Sequence, residues 1–133
     1  MSWRTCLAVG LIAVGSVVWL GCGSSKPEFC SKTDDVQQAL STMKGDVTSG
    51  KVSAIQPDVK TVRNDVEALV SSARSDFPSQ TKALDSSISK LTAAVEALPS
   101  SPSVSDVVRL AGDVGAVTTA VRDFKAATSS KCD

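Results

Sequence analysis

The stretch VSAIQPDVKTVRNDVEALVSSA, residues 52–73, places Val52, Ile55, Val59, Val62, Val66, Leu69 and Ala73 at alternating spacings of three and four. A half-buried strand would put apolar residues at every second position, whereas this spacing returns to one side of an α-helix. The stretch therefore reads as a helix burying one narrow seam. Pro57 falls in its early turns, so the helix either kinks there or begins there after an irregular lead-in. Because the seam starts at Val52, the reading favoured is a helix from about residue 51 that tolerates Pro57.

Three other stretches carry the same pattern. One runs Phe29, Thr33, Val36, Leu40, Met43, Val47; another runs Phe77, Thr81, Leu84, Ile88, Leu91, Val95, Leu98; the last runs Val107, Leu110, Val114, Val117, Val121, Phe124, Thr128. Ser31 with Asp34 and Ser103 with Asp106 have the spacing of a capping box, in which hydroxyl and carboxylate satisfy the free amides of a first turn. Asp76 ahead of Pro78, and the segment Pro99-Ser-Ser-Pro102, mark turns on either side of the third helix, while Gly45 and Gly50 bracket the first turn. Connections this short make consecutive helices antiparallel neighbours. The expected fold is all-α, an up-down-up-down antiparallel four-helix bundle, with helices about 25–35 Å long.

The N-terminal residues belong to a different kind of segment. Met1 to Gly21 has one positive charge, at Arg4, then an apolar run from Leu7 to Leu20, then small residues, which is the layout of a secretory signal. The apolar run is short for a membrane span, although the uncharged stretch from Thr5 to Ser25 approaches the required length, so an uncleaved anchor is the alternative. The run closes on Leu20-Gly21-Cys22 rather than on the small-residue site of a soluble secreted protein. This closure resembles the lipobox of bacterial lipoproteins, with Trp19 standing where that family usually has Leu. The resemblance implies a diacylglyceryl thioether on Cys22, cleavage before it, and attachment to the membrane through the lipid, two acyl chains being enough for stable anchoring. On this reading residues 1–21 are a signal peptide, residues 22–29 a flexible tether and residues 30–133 the helical bundle domain.

The chain has four cysteines. Cys6 lies in the signal segment and Cys22 is taken by the lipid, which leaves Cys30 and Cys132 in a protein routed to an oxidising compartment. An even number of antiparallel helices returns both chain ends to one end of the bundle, where these two residues lie. A Cys30–Cys132 disulfide joining the ends is therefore expected, stapling the first helix to the tail of the fourth. For a loop of this length the chain-entropy gain is about 4–5 kcal/mol.

Composition removes several functional classes. Without residues 1–21 the chain has 13 basic and 14 acidic side chains, a net charge of −1, and no basic run for nucleic acid or an anionic membrane surface. His and Tyr are absent, both tryptophans fall in the signal segment, and the remaining aromatics are Phe29, Phe77 and Phe124. Nucleophilic chemistry through imidazole or a free thiol has no residues to use, no carboxylate pair falls on a seam, and no cofactor or metal is implied. GDVTSGKV, residues 45–52, matches the start of a phosphate-binding loop, but Val52 stands where the hydroxyl ligand belongs and no strand precedes it. Arg63 and Glu67, four apart, read as a surface pair.

In the fourth helix Val108, Gly112, Gly115 and Thr119 form a stripe of mostly small residues opposite the seam, a candidate docking face for another helix. The whole chain resembles small lipoproteins of unknown function from high-GC Gram-positive bacteria: a lipobox, the Cys30-Ser-Lys-Thr33 start, Val- and Asp-rich helices and a terminal cysteine. The resemblance implies placement on the outer face of the cytoplasmic membrane. The expected role is a non-catalytic helical interaction or envelope module with a protein partner. The alternative is a carrier that takes a lipid or other apolar ligand into a Val- and Ala-rich interior.

Overall fold

The computed structural model describes residues 26–133. The signal segment, the lipobox with Cys22, and all of the tether up to Ser25 lie outside the described residues. Four helices follow one another: α1 (Glu28–Thr48), α2 (Val52–Ala73), α3 (Pro78–Glu96) and α4 (Val104–Cys132). Each packs on its neighbour in sequence, and α4 returns to pack on α1, which closes a four-helix ring around one core. This is the up-down-up-down bundle, and the described residues contain no strand.

The four seams form that core. Val36, Met43, Val62, Val66, Leu69, Leu84, Leu91, Val117 and Phe124 are completely buried, and valine is its commonest residue. Four seam positions fall short, Phe77 among them, which is half-buried at the turn before α3. Val52 is 36% exposed, because it opens α2 where the turn leaves it no partner on one side; Leu98 and Val107, also beside a turn, are half-buried. Val70 is buried although it lies off the seam, so the buried arc of α2 broadens at its last turns.

Helix boundaries follow the local chemistry, with corrections at Ser31, at Gly45 and in the length of α4. Ser103 accepts from the Asp106 amide at 3.2 Å, and the Asp106 carboxylate accepts from the Ser103 amide at 2.9 Å, a complete capping box. Ser31 is not a cap: α1 begins one turn earlier at Glu28, and the Ser31 hydroxyl donates to the Glu28 carbonyl. Phe29 is buried by that earlier start, and α1 begins two residues before Cys30. Helix α4 runs 29 residues, about 43 Å, longer than expected because it continues through Thr128 to Cys132. Gly45 lies inside α1, whereas Gly50 makes the turn with φ of 69°, a left-handed conformation that glycine adopts at little cost. Pro57 sits inside α2, which starts at Val52.

The end of the bundle where the chain enters is built from three copies of one unit. Phe29, Phe77 and Phe124 meet edge to face, with ring centroids 5.5, 5.8 and 6.1 Å apart. Four residues after each phenylalanine comes a buried threonine, and Thr33, Thr81 and Thr128 donate to the carbonyls of Phe29, Phe77 and Phe124 at 2.7, 2.9 and 3.0 Å. Each hydroxyl is satisfied within its own helix, so it can be buried without an unmet hydrogen bond. Beside the rings, Cys30 and Cys132 form the disulfide, with Cα atoms 5.7 Å apart. Phe124→Ala removes two ring contacts and opens a cavity that α4 cannot close; urea unfolding should report a loss of about 3–5 kcal/mol.

Candidate functional site

Three surface regions bring chemistry together. The first is the bundle base, where an open cleft between α1 and α4 is lined by Lys26, Pro27, Ser31 and Asp34 on one side and Lys125, Ser129 and Asp133 on the other, with Cys30 and Cys132 between them. Lys125 spans it, its Nζ donating to Gln37 Oε1 at 3.3 Å and lying 3.7 Å from Asp34 Oδ1. Both cysteines are half-buried, packed on the core from below and open to the cleft above.

The second region is the groove between α1 and α2, lined by Asp35, Gln38, Thr42, Asp58, Thr61 and Asp65. These aspartates lie off the seams, yet Asp58 and Asp65 are partly buried, because the groove walls cover positions flanking the seam. The Asp58 Oδ2 atom is buried without a hydrogen-bond partner. Burial raises the Asp58 carboxyl above its ordinary range; the Asp46 carboxylate adds to the rise and Lys51, bound to Asp46 at 3.1 Å, opposes it. Asp65 is raised by burial and then by Asp35, against Lys32. Acid–base sites do contain such carboxyls; here each lies across the helix interface from a second carboxylate, Asp46 or Asp35, and Thr42 and Thr61 line the same groove. Among the described residues no group of three metal-ligating side chains comes together.

The third region is the outward face of α4. Val108 is 65% exposed, Gly112, Gly115 and Thr119 are exposed along the same line, and Val104, which the sequence pattern did not single out, is 81% exposed. A Cβ at Gly112 or Gly115 would meet nothing within 4 Å, so no close backbone contact inside the bundle requires either glycine. Beside them, Lys44, Val47, Ala111, Val114, Gly115 and Thr118 line a cleft of 240 Å³ between α1 and α4. The phosphate-loop match is spread over the end of α1 and the turn after it, with Lys51 paired to Asp46. Arg63 Nε donates to Glu67 Oε1 at 2.8 Å, both side chains exposed.

No family model matches this chain, and it has no match among curated proteins or solved structures.

Two stability measurements follow from these faces. A carboxyl raised in the folded state favours folding most below the ordinary carboxylate range, near pH 4, and that contribution is lost as the pH rises through its folded value. Asp58→Asn should therefore raise the free energy of unfolding in urea at pH 7, by about half a kcal/mol, and the difference from the parent chain should shrink toward pH 4. On α4, Gly112→Ala or Gly115→Ala places a methyl group in open space in a helix interior; each should stabilise the isolated chain by about 1 kcal/mol, read by thermal melting.

Proposed function

We propose that this protein is an extracytoplasmic lipoprotein, anchored by an acylated Cys22 to the outer face of the cytoplasmic membrane, whose bundle works by protein contact rather than by catalysis. The observation that carries the reading is the polarity of the bundle. The chain enters at Lys26, beside the disulfide, while the exposed large apolar residues Val52, Val104 and Val108 all lie toward the opposite end. Along α4, Val104 stands 28 residues from Cys132, about 42 Å at helical rise. A lipid anchor at the base would hold that apolar end away from the membrane, where a partner in the envelope meets it first. The carrier reading would need room inside the bundle, where Val36, Met43, Val62, Leu91 and Phe124 are completely buried; the surface cleft beside Gly115 has 240 Å³, below the roughly 300–1,000 Å³ of usual small-molecule pockets.

Intact mass of the membrane-extracted protein tests the anchor: residues 22–133, the mass of a diacylglyceryl group with or without a third acyl chain, and the loss of two hydrogens are expected together, and a Cys22→Ala chain should lose the lipid mass. Retention of residues 1–21 without added lipid mass would overturn the lipid anchor and favour the uncleaved one. For the contact face, crosslinking in cells should yield a defined adduct that Val104→Asp with Val108→Asp abolishes while the circular dichroism spectrum is unchanged. An adduct insensitive to both substitutions places the contact elsewhere, and apolar ligand co-purifying in native mass spectrometry favours the carrier.

A further inference from the structure

We propose that the Cys30–Cys132 disulfide is a directional thiol-exchange site, attacked at Cys132 Sγ so that Cys30 departs as the thiolate. The cleft described above opens onto both sulfurs, and its charged lining, Lys26 and Lys125 against Asp34 and Asp133, is balanced, so an incoming thiolate meets no net repulsion. The flanking residues Glu28 and Lys131 also offset the charges next to each cysteine. What distinguishes the two sulfurs is the backbone. Cys30 is the third residue of α1, whose N-terminus has Pro27 at the cap position and no side-chain cap; the Cys30 amide itself donates to the Pro27 carbonyl at 3.0 Å, so it is the positive end of the helix and the two amides before Cys30 that favour a developing negative charge. Cys132 is the last residue of α4, where unpaired carbonyls oppose such a charge. The better-stabilised thiolate leaves faster, which selects attack on the other sulfur.

The step balances as two exchanges. A thiolate of the reductant forms a bond to Cys132 Sγ while the Sγ–Sγ bond breaks toward Cys30, giving a mixed disulfide on α4 and a free thiolate on α1. A second thiol of the reductant then attacks the reductant sulfur of that mixed disulfide, leaving the reductant oxidised by two electrons and both protein thiolates to take protons from water. The consequence is local. Beyond Thr128, residues Ser129, Ser130 and Lys131 are exposed, so the disulfide is what holds the final turn of α4 to α1, while the phenylalanine cluster beneath stays closed. Reduction therefore frees that turn, and the root of the tether with it, without opening the bundle.

The test is a brief exposure of the purified, oxidised full chain to reduced glutathione at neutral pH, quenched with iodoacetamide and followed by peptide mapping. The singly glutathionylated chain should carry glutathione on Cys132 and the alkyl group on Cys30 about ten times as often as the reverse. In urea, where the helix ends no longer exist, the preference should fall toward one. Equal partition or a preference for Cys30 in the native chain overturns the direction, and a preference that survives urea overturns its assignment to the helix ends. Adducts formed only in urea overturn the accessibility of the site. Circular dichroism of the reduced chain should retain nearly all of its helical signal; a collapse to coil overturns the local release.

Discussion

Removing four apolar seams from water at the same time is the constraint on which the rest of this structure depends. None of the helices could hide its seam alone, and seams built largely of valine offer little area apiece. A ring of four antiparallel helices is the arrangement that covers all of them with short turns. Once the ring closes, the first and last turns of the chain are necessarily neighbours, and two cysteines placed there come within bonding distance. The covalent link is thus a product of the packing, joining the two chain ends that the ring brings together.

Much of this was legible in the sequence because burial of a helix face leaves a periodic record. The spacings of three and four named nearly every core residue, and the pairing of Cys30 with Cys132 followed from the parity of the helices. The record fails where burial is not set by one helix's own period. Val70 is covered because the core widens at the end of α2, and Val52 is uncovered because a turn adjoins it. Ser31 with Asp34 has the same spacing as Ser103 with Asp106, yet only the second pair caps a helix; the demand to bury Phe29 overrides the local preference at the first. The repeated unit of phenylalanine and threonine was present in the seams, but its three copies come together only when the helix ends converge.

The surface chemistry was harder to read. Asp58 and Asp65 acquire their raised carboxyls from a neighbouring helix, and no property of α2 alone contains that information. The candidate stripe on α4 was visible as composition, and the fold adds that it is open along its length and continues to Val104 at the free end. The groove aspartates and the α4 face are therefore different in kind. The groove tolerates unfavourable charge as a cost of bringing α1 and α2 together, whereas the α4 face has no role in holding the bundle closed.

The position of the disulfide also governs how the molecule carries mechanical load. A pull on the chain ahead of α1 reaches Cys30 at the third residue of that helix, and from there tension divides between two helices before it can peel either one away from the core. With the rings of three chain segments meshed directly beneath, sliding of one helix past another is blocked at the place where force would enter. A bundle moored at this end would stay rigid under tension, transmitting displacement along its length to whatever it touches.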